Sequence, residues 1–139
     1  MPNIPLTWRD QFIANTTLAG AQSDPEITQL ANGNILVSWT SAEDSGVGLP
    51  QGTDILAQMF DPLGNRIGGE VRLNNASAID NELNSQVVAM PGGGFLVLYH
   101  DVDFAGGGGS NIRLEEFDAN GNSLSENSGV ILDSALGGD

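Results

Sequence analysis

The sequence predicts an all-β chain: two tandem four-stranded, propeller-blade-like repeats plus one extra strand. Three observations carry that prediction. Apolar residues alternate at period two in short dense runs such as Ile35-Leu36-Val37-Ser38-Trp39. Turn signals of the Asn-Gly and Gly-Gly kind separate those runs. The chain also repeats itself with a period of about 60 residues, the length of a small supersecondary unit.

The repeat is visible position by position. Residues 11–41 overlay 71–101 without a gap, so Asn15 falls on Asn75, Ile27 on Val87, Gly33 on Gly93 and Trp39 on Tyr99. A loop of different length follows. The match then resumes, with Asp54-Ile55 on Asn111-Ile112 and Phe60-Asp61 through Gly64-Asn65 on Phe117-Asp118 through Gly121-Asn122. Residues 1–139 therefore read as a single repeat domain. Its first unit covers 11–70 and its second 71–129, and a third copy begins in 130–139, where Val130-Ile131-Leu132-Asp133 matches Val71-Arg72-Leu73-Asn74.

Strands are expected near 11–15, 26–30, 35–40, 55–60, 70–74, 86–90, 95–100, 112–117 and 129–133. Ala31-Asn32-Gly33-Asn34 and Pro91-Gly92-Gly93-Gly94 read as hairpin turns, because Asn and Gly tolerate positive φ. Gly64-Asn65 and Gly121-Asn122 mark a second turn in each unit. Ser41 to Thr53 and Asp101 to Ser110 read as long polar loops in equivalent places. No segment shows helical spacing with caps. A blade buries its faces against its neighbours, and two blades cannot close a ring that needs about four to eight. Either the chain continues in a longer protein or several chains assemble. The alternative architecture is a duplicated β-sandwich.

Composition narrows the function classes. The 139 residues hold 18 acids against four arginines and no lysine, for a net charge of -14. Nucleic-acid binding needs clustered cations and is excluded as an expectation. No apolar run approaches the roughly 20 residues of a membrane span. Met1-Pro2-Asn3-Ile4-Pro5 does not read as a signal peptide. Cysteine is absent, which excludes disulfides and thiolate metal sites. The acidity points to a cation-rich, extracellular or cell-surface setting.

Asn15 to Pro25, followed by Leu30-Ala31-Asn32-Gly33-Asn34-Ile35-Leu36-Val37-Ser38-Trp39, resembles a tandem repeat of very large secreted bacterial proteins of the calcium-associated RTX type. The family unit continues with Phe-Asp, Gly-Asn and Gly-Glu, here Phe60-Asp61, Gly64-Asn65 and Gly69-Glu70. The resemblance implies a blade-like repeat in a secreted assembly. The second copy departs from it, with Leu83-Asn84-Ser85 in place of Ser23-Asp24-Pro25, and the Gly-Gly-x-Gly-x-Asp calcium nonapeptide does not occur.

Several residues are candidate ligands. Asp101 and Asp103 in one loop, and Asp44 and Asp54 in its equivalent, could collect calcium, which takes six to eight oxygens. Asp118 and Asn120 before Gly121 could wrap a hard cation, although the same pattern closes an Asx turn. Trp39 and Tyr99 share a repeat position at a strand end, where an aromatic ring could stack on carbohydrate or simply pack. Catalysis is not expected. His100 is the only histidine, no Gly-x-Ser-x-Gly elbow precedes a helix, and the adjacent Glu115 and Glu116 point to opposite faces of a strand. The sequence-level expectation is a non-catalytic extracellular β-repeat module, calcium-stabilised and self-associating or packed on neighbouring repeats. A lectin-like carbohydrate-binding oligomer and a purely structural self-assembling subunit are the alternatives.

Overall fold

The computed structural model describes residues 10–42, 52–74, 80–102, 109–124 and 130–131. Every regular element among them is a strand: β1 (Gln22–Gln29), β2 (Ile35–Ala42), β3 (Thr53–Phe60), β4 (Arg66–Arg72), β5 (Asn81–Ala89), β6 (Phe95–Val102), β7 (Ser110–Phe117) and β8 (Val130–Ile131). They form two antiparallel meanders in the orders β1-β2-β3-β4 and β5-β6-β7-β8, the last strand being only two residues long. The chain is all-β in two sheets, and neither sheet closes on itself.

The turns follow from their residues. Leu30 N–H donates to the Asn34 carbonyl (2.8 Å) and Gly33 N–H to the Leu30 carbonyl (2.9 Å). Met90 with Gly94 (3.0 Å) and Gly93 with Met90 (3.1 Å) make the same pair of bonds. Gly33 and Gly93 have φ of 88° and 92°, the left-handed conformation this bulged hairpin turn requires of its last residue. The next turn in each sheet is held by an aspartate. Asp61 Oδ1 accepts from Leu63 N (2.9 Å) and Asn65 N (2.8 Å), and Asp118 Oδ1 accepts from Asn120 N (2.8 Å) and Asn122 N (2.9 Å).

Some strand bounds differ from expectation. β1 starts at Gln22 and β5 at Asn81, well before the expected 26 and 86. Each strand carries a bulge, between Ser23 and Glu26 and between Leu83 and Gln86. Asp24 (φ 50°) and Asn84 (φ 53°) absorb it, so the apolar alternation slips by one residue there and hides the first half of the strand. β4 begins at Arg66 because the Asp61 turn leads straight into pairing with Phe60. The stretch 11–15, expected as a strand, pairs with no sheet.

Instead, residues 10–17 lie against the first sheet. Phe12 sets its ring edge on Phe60, with centroids 5.4 Å apart. Arg66 reaches the Ile13 carbonyl at 2.5 Å and stands over the Phe60 ring. Glu70 accepts from the backbone N–H groups of Thr16 and Thr17 and from the Thr17 hydroxyl (2.7 Å). Burial pushes the Glu70 carboxyl up, but these bonds outweigh it and hold its pKa below the ordinary glutamate value.

The core lies between the sheets. The register aligns Leu36 with Met59, Ser38 with Ala57 and Thr40 with Ile55, which puts all six on one face of the first sheet, here called its front. In the second sheet Phe95, Val97 and Tyr99 share a face with Phe117 and Glu115, its back. Front packs on back, and all eleven of these side chains are buried. Phe95 and Phe117 stack at 5.1 Å. Two polar contacts fix the register across the seam: the Thr28 hydroxyl donates to the Val87 carbonyl (2.9 Å), and the Ser38 and Ser85 hydroxyls meet at 3.3 Å.

Two glycines in one turn differ in what they tolerate. A Cβ on Gly94 (φ 77°) would overlap the Phe117 carbonyl, whereas Gly92 faces open space. Gly94→Ala is expected to cost about 1–3 kcal/mol in urea unfolding, and Gly92→Ala less than about 1 kcal/mol. Equal costs would show that the Gly94–Phe117 approach does not constrain the β6–β7 pairing.

Candidate functional site

At the end of the sheets where β2, β3, β5 and β6 meet the long loops, the two sheets are pinned together by backbone. Gly52 lies so close to Asp80 that a side chain there would overlap the Asp80 carbonyl, so only glycine fits. Thr53 N–H then donates to Asn81 Oδ1 (3.0 Å), and the Thr53 hydroxyl donates to the Glu82 carbonyl (2.8 Å). These bonds bring Asp54, the next residue of β3, beside Glu82 near the start of β5.

Four acids gather there. Glu82 is paired across the β5–β6 ladder with Asp101, so the two carboxyls leave the same face from Cβ atoms about 5 Å apart. Arg113 Nε bonds Asp101 Oδ2. Arg72 Nε stands 3.5 Å from Asp54 Oδ2, and Asn74 Nδ2 donates to Asp54 Oδ1 (2.8 Å) while Asn74 Oδ1 accepts from Ile55 N (2.9 Å). Among the described residues no arginine pairs with Glu82. It is 2% exposed, and its Oε2 has no hydrogen-bond partner. Burial, followed by the charges of Asp54, Asp101 and Asp80, pushes its carboxyl up to about 8 against the pull of an Asn74 hydrogen bond. At neutral pH Glu82 keeps its proton, with Asp54 and Asp101 beside it each paired to an arginine. A carboxyl that holds its proton at neutral pH is placed to act as a general acid.

Only part of the sequence-level site coincides with this cluster. Asp54 and Asp101 belong to it, each paired to an arginine. Asp44 and Asp103 lie outside the described residues. Asp118 and Asn120 sit in the turn after β7, and both Asp118 oxygens are used there, Oδ2 by Asn122 Nδ2 (2.8 Å). Those bonds, the Asn122 side chain first, lower the Asp118 pKa. Asp118 therefore closes an Asx turn rather than wrapping a cation. Among the described residues no three histidine or acidic side chains converge as ligands of one ion. Trp39 and Tyr99 are corrected as sugar platforms, being 4% and 2% exposed. Stacking needs a bare ring face, and these rings are spent on packing, with the Tyr99 hydroxyl bonded to Glu115 at 2.8 Å. Glu82 was not singled out from sequence. Counting back from the Pro91-Gly92-Gly93-Gly94 turn finds its partner Asp101 only if the bulge at Asn84 is known.

No protein-family model and no curated protein matches the sequence. Among solved structures, the chain is similar to the endo-arabinase from Bacteroides thetaiotaomicron VPI-5482, with a TM-score of 0.57 and 14% identity over 86% of this chain and 45% of that one. The chain thus spans less than half the length of that protein, and the likeness is one of fold. It corrects the expectation that this chain is not an enzyme, since an enzyme is built on the same arrangement of sheets. Glu115 and Glu116, as neighbours along one strand, face opposite sides. Pairing across a ladder puts Glu82 and Asp101 on one face.

A carboxyl whose pKa is higher folded than unfolded makes stability fall as pH rises from its unfolded value through its folded one. For Glu82 that window runs from 4.5 to about 8. Glu82→Gln keeps the shape and removes the titration, so it should flatten the fall in thermal midpoint across that window. A wild-type midpoint that rises between pH 6 and 8 would contradict the buried, proton-holding state of Glu82.

Proposed function

We propose that this chain is a carbohydrate-active module of two propeller-blade-like repeats, with the acid cluster around Glu82 as its reactive centre. The observation that carries this is the buried Glu82 carboxyl, protonated at neutral pH and directly opposite Asp101, which Arg113 pairs. Glycoside cleavage uses two carboxyl groups about 5–9.5 Å apart across the scissile bond. Glu82 would give its proton to the leaving glycosidic oxygen as the bond to the anomeric carbon breaks. Asp101 would take a proton from the water that attacks that carbon. Solvent approaches from the rim of Arg72 and Asp54, whose side chains are 38% and 14% exposed. The fold likeness to an endo-arabinase supports a furanose or pyranose polymer as the substrate class.

The blade reading is supported by recurrence. Both sheets are four-stranded meanders, and their turn bonds and bulges fall at the positions that the sequence repeat aligns. The acidity of the chain, with net charge -14, supports an extracellular setting.

Incubation with arabinan and with other polysaccharides, followed by reducing-end release, tests this reading. Release should fall as pH rises past about 8, where Glu82 loses its proton. Glu82→Gln and Asp101→Asn should each lower the rate by 10²-fold or more while the fold is retained. A folded protein that neither cleaves nor retards in gels containing these polymers would overturn it.

A further inference from the structure

We propose that the front of the second sheet is a docking face for the back of the first sheet of another copy of this chain. The proposal rests on the equivalence of the two sheets and not on the chemistry assigned to Glu82.

Within the chain, the front of the first sheet is sealed by the back of the second. Among the described residues, no sheet seals the aligned front of the second sheet. Val88, Leu96, Leu98, Ile112 and Leu114 share it by register, Val88 is 61% exposed, and among the described residues no strand packs on it. By the repeat, His100 replaces Thr40 and Glu116 replaces Met59 on this face, while larger apolar side chains enter at its centre. Leu98 stands where the first sheet has Ser38, and Leu114 where it has Ala57. In a chain with 18 acids, the β6–β7 register brings a single carboxylate to this face, Glu116. Val88 is exposed and Leu96, Leu98, Ile112 and Leu114 are half-buried, and an apolar sheet face left partly open marks an interaction site.

The complementary half is at the other end of the chain. The back of the first sheet is covered by Phe12 at its Phe60 corner, but Ile27, paired with Val37, is 66% exposed. An open hollow lined by Pro25, Val37 and Trp39 adjoins it. These positions align with Ser85, Val97 and Tyr99, residues on the second sheet that meet the first.

The two halves have changed together. Across the internal seam, Ser38 meets Ser85 and Thr28 bonds the backbone of Val87. At the equivalent seam between copies, Leu98 would face Pro25 and Val88 would face Ile27. In the first pair hydroxyl against hydroxyl is replaced by carbon against carbon on both sides, which removes the buried polar group that a one-sided change would leave unpaired, and in the second an apolar Val88 stands in place of Thr28. Continuity with the internal interface therefore selects a second copy as the occupant. The contact is head-to-tail, so it builds rings or open filaments rather than an isologous dimer.

Light scattering on the full chain, 14.5 kDa as a monomer, should show mass rising with concentration. Added salt should strengthen association by screening the -14 charge. Val88→Glu and Ile27→Glu alter exposed side chains, so both variants should fold with unchanged circular dichroism and remain monomeric. Mixed in equal amounts, they should pair once, because each retains the face that the other lacks, and double the monomer mass. A wild-type chain that is monomeric at every concentration and salt overturns the proposal. So does assembly that both variants preserve, or dissociation by Val88→Glu alone, which would mean front-to-front contact.

Discussion

A four-stranded antiparallel sheet has two faces, and in this chain the front of one sheet is dried by the back of the next. The rest of the structure depends on that seam. Leu36, Ile55, Ala57 and Met59 are hidden only because Phe95, Val97, Tyr99 and Phe117 lie over them. Neither sheet would bury enough apolar area alone, since a small isolated sheet is marginal in water. The seam has direction. Front meets back, so each sheet that is added covers one face and exposes another of the same kind. Among the described residues, Phe12 and Ile13 cross part of the first back, while Val88 stays exposed on the second front.

The acid cluster is a by-product of the same seam. Closing the sheets at the loop end forces Gly52 against Asp80 and ties Thr53 to Asn81 and Glu82. Carboxyls from β3, β5 and β6 are thereby carried into one poorly solvated place. Two of them find arginines, and each arginine sits on a strand next to its acid's own: Arg72 on β4 for Asp54 on β3, and Arg113 on β7 for Asp101 on β6. Glu82 finds none among the described residues, and neutrality by protonation is the cheaper state for an acid with an unmatched oxygen in a buried site. The long-range geometry thus sets the protonation state, and the protonation state sets the chemistry.

Many polar residues that looked like ligands serve the backbone instead. Asp61 and Asp118 spend their oxygens on closing turns, and Gln58 gives its amide N–H groups to the carbonyls of Met59, Ile67 and Gly68 where the β3–β4 pairing slips. Tyr99 spends its hydroxyl on Glu115. Candidates chosen by residue type alone are confounded in a β-rich chain, where the same Asp, Asn and Gly that bind cations also make hairpins.

Local pattern determined the strand class, the four hairpin turns and the alternation that marks β2 and β6, because each depends on residues within a few positions of one another. It also carried the repeat, and with it the equivalence of Trp39 and Tyr99. Only the tertiary structure decided which face of each sheet is inside, because alternation marks Ile35, Val37 and Trp39 as the apolar face of β2, whereas Leu36, Ser38 and Thr40 are the side chains that meet the second sheet. It alone placed Glu82 opposite Asp101, since the bulge at Asn84 shifts the register by one residue and is set by sheet packing rather than by any local signal. It alone turned Tyr99 into the seam and left Trp39 buried on the back of the first sheet, because an aromatic side chain at a strand end packs according to what the rest of the chain brings to it.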